Sequence, residues 1–255
     1  MTRSDRSVGT LIGIIPIALI IGVWQAIAVS GLAPPSILPP PAAVFARLVQ
    51  QLGSPAYLDH VATTLFRLFT GFAIAVVIGV TIGLAATGSR AVEGVVRPLV
   101  RVLAPVPKIA LYPAFILTLG FENASKIALV VADAAFPILL ATHQGTSAVE
   151  PKLAWSARAA GTSPLLCLVT VVLPAALPSV LTGCRIALVI SCIVVFLAEM
   201  ITSSDGLGHV LVTAARTFQA VDMFVPLITI SLLGLILNGL LGAVRSYLLR
   251  GFPEA

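Results

Sequence analysis

The chain of 255 residues is 58% hydrophobic and only 10% charged, where soluble domains carry about 25% charged residues. That deficit excludes a water-facing globular surface and makes the chain a polytopic membrane protein. Its formal net charge of +5 does not point to nucleic acid, because the basic residues stand singly beside apolar runs and form no phosphate-binding patch.

Residues 11–29 form the first apolar run, long enough to cross ~30 Å of hydrocarbon. Arg3 and Arg6 precede it as they would in a signal peptide. The run is long for such a segment and lacks a small-x-small cleavage site, so it reads as a retained span of about 11–30. The proline-rich residues 31–41 cannot continue a helix, and 42–52 read as a short amphipathic helix along the membrane surface. A second span is expected at about 62–87, closing at Thr87-Gly88-Ser89-Arg90. A third covers about 98–119, with Pro105, Pro107 and Pro113 inside it or at its start. The fourth, fifth and sixth fall at about 125–143, 178–200 and 224–246. Between the last two, the turn Asp205-Gly206-Leu207-Gly208 leads into a short amphipathic helix over 209–219. The expected fold is all-α, a polytopic membrane protein of about six transmembrane helices, without an internal repeat.

Orientation follows from the Lys/Arg distribution in the connections. With the N-terminus inside, the cytoplasmic side collects Arg3, Arg6, Arg90, Arg97, Arg101, Lys152, Arg158, Arg245 and Arg250. The outside keeps Arg47, Arg216 and, at a membrane edge, Lys126. Both termini are expected inside, and residues 144–176 face the cytoplasm.

That cytoplasmic stretch holds a short, charged, small-residue segment, 150–161. Residues 149–160 are expected to be helical. Pro151 is tolerated in the first turn, Glu150 sits at the positive end of the helix dipole, and Gly161 can supply a left-handed closing residue before Thr162-Ser163-Pro164. Ala157, Ala160 and Gly161 allow close approach by another protein, and Leu153 and Trp155 can anchor in its pocket. Lys152 and Arg158 add charge to the same segment. The chain contains no G-x-x-x-x-G-K-[ST], and its lysines Lys108, Lys126 and Lys152 follow no glycine-rich loop. It cannot hydrolyse ATP through a P-loop of its own.

Here the chain resembles the permease subunits of bacterial binding-protein-dependent ABC importers, which share a cytoplasmic pattern E-A-A, two residues, G, nine residues, I-x-L-P. Gly161, nine intervening residues and Val171-Val172-Leu173-Pro174 reproduce the second half with Val for Ile. In the first half the triplet falls on Trp155-Ser156-Ala157 or Ser156-Ala157-Arg158, without an acidic residue. Further stretches occur in family order over about 35–250. They include Leu38-Pro39-Pro40-Pro41, Leu103-Ala104-Pro105-Val106-Pro107-Lys108, Phe121-Glu122-Asn123-Ala124-Ser125-Lys126, Phe136-Pro137-Ile138-Leu139, Leu173-Pro174-Ala175-Ala176-Leu177-Pro178 and Ala198-Glu199-Met200. They are similar to the sulfonate/taurine/nitrate branch.

The resemblance implies a type I ABC importer permease fold in the bacterial inner membrane, surrounded by lipid. Residues 1–60 would supply an N-terminal transmembrane helix and an external amphipathic segment, and 61–250 the permease core. It further implies a homodimer of permeases, two cytoplasmic ATP-binding subunits that hold the ATP and Mg²⁺, and an external substrate-binding protein. Residues 150–163 would be the coupling helix, with Glu150, Lys152, Leu153, Trp155, Ala157, Arg158 and Gly161 meeting the ATPase. The solute would be small and anionic.

Polar residues within the spans are candidates for the translocation path. Asp133 lies mid-span and either lines the path or makes an inter-helix hydrogen bond or ion pair. Lys108 follows Pro105 and Pro107, where unwound backbone either lines a cavity or forms a simple kink. Glu199 belongs to an outer gate or to packing, and Arg185 to snorkelling or structural pairing. His143 closes the fourth span; His60 and His209 lie outside without metal partners. Cys167, Cys184 and Cys192 show no metal or disulfide spacing and read as inert thiols. No catalytic constellation is present. Two other functions compete: a secondary transporter coupled through Asp133 and Glu199, against which the missing inverted repeat weighs, and a membrane scaffold that anchors a partner through 150–163.

Overall fold

Prolines punctuate the chain at helix starts, where the absent N–H would have had no partner and φ is already helical. In a computed structural model, which describes residues 3–252 with side chains from residue 15, Pro41, Pro55, Pro113, Pro151, Pro164, Pro174 and Pro178 all occupy first turns. The helices are α1 Arg3–Val29, α2 Pro41–Leu52, α3 Pro55–Gly88, α4 Arg90–Leu103, α5 Tyr112–Leu119, α6 Asn123–Ser147 and α7 Pro151–Ala159. Then follow α8 Pro164–Cys167, α9 Leu173–Ala175, α10 Leu177–Thr202, α11 Leu207–Arg216 and α12 Ala220–Leu248.

Among the described residues α3, α6, α10 and α12 are long and apolar enough to cross a membrane. The expected third span is corrected. Residues 98–119 do not form one helix: Arg90–Leu103 and Lys108–Leu119 meet at 91°. Ala104-Pro105-Val106-Pro107 causes the break, because neither proline can donate a helical N–H and Pro107 is extended, with ψ 105°. Counted as one broken span, this pair brings the number to five. The first expected span lies on α1, which is apolar over Ile15–Val29.

The core is built on small residues. Gly71, Ala75, Gly79 and Gly83 recur every fourth residue along α3 and face Val130, Ala134, Ile138 and Thr142 of α6 in the same order, so the two helices run parallel. A Cβ added at Gly71 would stand 2.7 Å from Val130 Cβ, and one at Gly79 2.8 Å from Ile138 Cβ. Close backbone approach of this kind, rather than hydrophobic exclusion of water, holds helices together in lipid. One turn further, Thr87 and Thr146 share a hydrogen bond of 2.6 Å.

α10 packs antiparallel on α6, with Gly183 against Ala141 and Pro137 and Gly145 against Ser179. α12, α2 and α11 close the other side of α10 around Val44, Leu48, Phe196, Leu207 and Val225. There Trp24 stacks on Phe224 and donates to the Pro39 carbonyl at 3.0 Å. Tyr57 meets Thr229 at 2.6 Å. The bundle thus has two ends, one carrying α7 and the other the Asp205 turn.

Candidate functional site

α7 lies between the end of α6 and the start of the α10 region. None of its side chains is fully buried. Ala154 and Ala157 are half-buried toward the chain, and Leu153, Trp155, Ser156 and Arg158 face outward. Trp155 is 66% exposed. An indole this exposed contributes nothing to the chain's own core.

Gly161 has φ +88°, a value that needs glycine. It ends the helix in a Schellman motif: Thr162 N–H donates to Ala157 O at 3.1 Å and Gly161 N–H to Arg158 O at 2.9 Å. Glu150 and Lys152 pair at 3.3 Å on the surface, an arrangement of little energetic value. Beyond the glycine, Ser163 accepts from Leu166 N–H, and a π-bulge at Leu168–Val172 leads to Pro174 and α10. Cys167 is buried with its thiol 3.9 Å from Ala154 O, and Leu168 touches Gly88 at the end of α3. α7 is therefore packed on the α8 and π-bulge segment, and that segment in turn touches the end of α3.

Lys108 and Asp133, separate candidates in the sequence, come together. Lys108 Nζ stands 3.8 Å from Asp133 Oδ1, donates to Ala104 O at 2.8 Å and lies 4.6 Å over the Phe136 ring. The unwound link after α4 thus has its lysine satisfied by a carbonyl, a carboxylate and a π-face. Close by, α4, α6 and the end of α3 enclose a cavity of about 690 Å³, with Glu93, Arg97, Arg101, His143 and Gln144 in its wall.

The family model for the binding-protein-dependent transport system inner membrane component matches residues 75–251. The chain belongs to this family. It is a transport permease subunit of the ABC type and a multi-pass membrane protein. The permease is 30% identical over 242 residues to the aliphatic sulfonates transport permease protein SsuC of Bacillus subtilis, covering 95% of this chain and 88% of that one. It is 32% identical over 222 residues to the taurine transport system permease protein TauC of Escherichia coli, covering 85% and 78%. In fold it is similar to the MetNI methionine ABC transporter in an inward-facing conformation, with a TM-score of 0.67 at 19% identity over 75% of this chain and 95% of that one.

At the other end of the permease, Glu199 is 1% exposed and lines no described cavity. It accepts from Arg67 Nη1 at 2.8 Å, Thr64 Oγ1 at 2.9 Å and Gly208 N–H at 3.1 Å. Sequence reasoning missed Arg67, which organises this cluster. Its Nε donates to Asn123 Oδ1 at 2.7 Å, and its Nη2 pairs with Asp205. Thr64 accepts from Leu207 N–H, and His60 Nδ1 from Gly206 N–H. α3 and α10 therefore hold the Asp205–Gly208 turn directly, and Asn123 of α6 steadies Arg67. A Cβ on Gly206 or Gly208 would collide with Glu199. Lys126, expected at a membrane edge, is buried beside this cluster with its ammonium on the Phe121 and Glu122 carbonyls. The signal for Arg67 was available, since a lone arginine in the apolar run Leu65-Phe66-Arg67-Leu68 requires a partner.

Among the described residues no group of three or more His, Cys, Asp or Glu side chains is arranged to hold a metal.

Proposed function

We propose that two copies of this permease form the membrane path of an ATP-driven importer for a small organic sulfonate, and that α7 takes the stroke of a separate ATP-binding subunit. The observation that carries the coupling reading is α7 itself, a helix whose anchor Trp155 is turned away from its own chain and whose end is fixed by a left-handed glycine. Nucleotide shifts the permease between states only through differential interaction with them, so the connecting element must be stiff. The Schellman closure, the Cys167 contact and the Leu168–Gly88 contact supply that stiffness.

The basic residues Arg90, Arg97, Arg101, Lys152, Arg158, Arg245 and Arg250 gather at the α7 end, which supports a cytoplasmic placement of that end and of both termini. ATP and Mg²⁺ are held by the partner, and this chain performs no hydrolysis. The Asp205 turn and α11 face outward and receive an external binding protein. Lys108 and Asp133 border the path. Glu199 acts from inside the protomer, holding the outer turn through Arg67. The sulfonate and taurine relatives support the substrate class. The absence of an internal inverted repeat in the sequence weighs against an ion-driven carrier.

The test is uptake of labelled taurine and ethanesulfonate into proteoliposomes holding the permease, its ATP-binding subunit and its binding protein. Uptake should require ATP on the side of the membrane that carries α7 and the ATP-binding subunit, and stop when that subunit is omitted. Uptake that persists without that subunit and follows an ion gradient would refute the reading.

A further inference from the structure

Arg185 lies eight residues into α10 and is exposed on the surface of the chain. At about 1.5 Å per residue this is roughly 12 Å inside the span, a depth where a charged side chain without a counter-charge is costly and marks a function. Its Nε donates to Asn238 Oδ1 at 2.8 Å. Among the described residues its two terminal nitrogens make no hydrogen bond or salt bridge. A planar fork of N–H donors is held at its base and open at its tip.

Asn238 also lines an apolar cavity of about 450 Å³ between α10 and α12, together with Val189, Ile193, Leu227 and Leu235. Gly234 faces Cys192 across these helices, so the antiparallel register sets Asn238 level with Leu188. Arg185 therefore extends about three residues, roughly 4.5 Å, toward the cavity to reach its partner. The other polar lining residue, Ser231, is turned back onto the Leu227 carbonyl at 2.8 Å. Asn238 in the wall of the trough thus holds the guanidinium of Arg185, which stands next to that wall with its tip unpaired, and the rest of the lining is mainly aliphatic.

Guanidinium forks match planar or three-oxygen anions, and an apolar trough with a few convergent polar groups is the usual form of a small-molecule site. The geometry points to Arg185 and Asn238 as the head-group subsite for an alkanesulfonate within the membrane, its aliphatic tail lying along Val189, Ile193 and Leu227. This inference rests on the reading of the chain as a sulfonate importer. It adds a place in the path where charge and chain length are both read.

Proteoliposomes with the complete transporter are assayed for ATP-driven uptake of ethanesulfonate and butanesulfonate. Arg185→Gln should lower uptake of both by about tenfold or more, the size expected for a lost charged hydrogen bond, and Arg185→Lys should restore part of it. Val189→Trp fills the trough and leaves the charge in place, so butanesulfonate uptake should fall several-fold more than ethanesulfonate uptake. Should that variant fail to retain its ATP-binding subunit, Ile193→Phe carries the same expectation. Native uptake in Arg185→Gln overturns the subsite and leaves lipid or the second copy as the occupant of this face. Equal losses of the two solutes on filling the trough, or uptake of ethanesulfonate alone by the unaltered protein, overturn the tail assignment. Absence of any sulfonate uptake by the unaltered transporter overturns the import reading, and the subsite with it.

Discussion

Replacing Arg67 tests whether the Asp205 end of the permease is held by one buried charge cluster. In Arg67→Met the guanidinium that reaches Asn123, Glu199, Ser203 and Asp205 is lost. Glu199 keeps Thr64 and the Gly208 amide but loses its counter-charge, and at 1% exposure it gains no water in exchange. Removing one partner of a buried pair costs about 3–5 kcal/mol. For a chain of this size that corresponds to a fall in unfolding temperature on the order of 10 °C. The cost lies mainly in the stranded carboxylate, so the double replacement Arg67→Met with Glu199→Met should recover a large part of it. Thermal unfolding of the three variants in lipid nanodiscs reads both quantities. A single variant within about 2 °C of wild type, or a double variant as unstable as the single one, would refute the reasoning.

Three further outcomes follow from the same geometry. Gly161→Val forces a β-branched residue to φ +88°, at a local cost of about 1–3 kcal/mol; the spans should insert normally while co-purification of the ATP-binding subunit and transport both fail. Gly79→Val places a methyl-bearing carbon against Ile138 Cβ and the Ala135 carbonyl, and should lower stability in an unfolding assay by about 1–3 kcal/mol or more. Asp205 lies in the turn outside the spans: burial raises its carboxyl, but the hydrogen bond and charge of Arg67 outweigh that and hold it below the ordinary carboxylate range. Its stabilisation is therefore complete above the ordinary value near pH 4 and lost as the pH falls through the lower folded value. Wild type and Asp205→Asn should differ in stability at pH 7 and converge only below about pH 4. Convergence already at pH 6 would contradict the pairing.

Helix type was legible because apolar runs of span length have few alternatives in lipid, and the starts were legible because proline marks the first turn. Gly161 was legible as a left-handed closure from its place between a small-residue helix and Thr162-Ser163-Pro164. The break at Ala104–Pro107 was half legible. The prolines announced a disruption, but the apolar length of 98–119 argued for a span, and only the packed chain shows the two helices turned by 91°. Lys108 and Asp133 each stood out as costly charges, yet their pairing depends on how that break folds back on α6.

Arg67 escaped notice for a different reason. Its partners Glu199 and Asp205 lie more than a hundred residues away in sequence, and no local period connects them. The repeat Gly71, Ala75, Gly79, Gly83 was in plain view at i, i+4 spacing and foretells close helix approach. Its partner row on α6, Val130, Ala134, Ile138 and Thr142, has no comparable compositional mark.

The central claim is that α7 is where an ATP-binding subunit grips this permease, and Trp155 offers the most direct measurement. The side chain is 66% exposed, so Trp155→Ala should leave the unfolding temperature of the isolated permease unchanged. Truncating an aromatic anchor in an interface costs about 2 kcal/mol or more, roughly 30-fold in Kd. Titration of the purified ATP-binding subunit onto permease in nanodiscs should show a weakening of that size in the variant. An unchanged Kd for the variant would contradict the account.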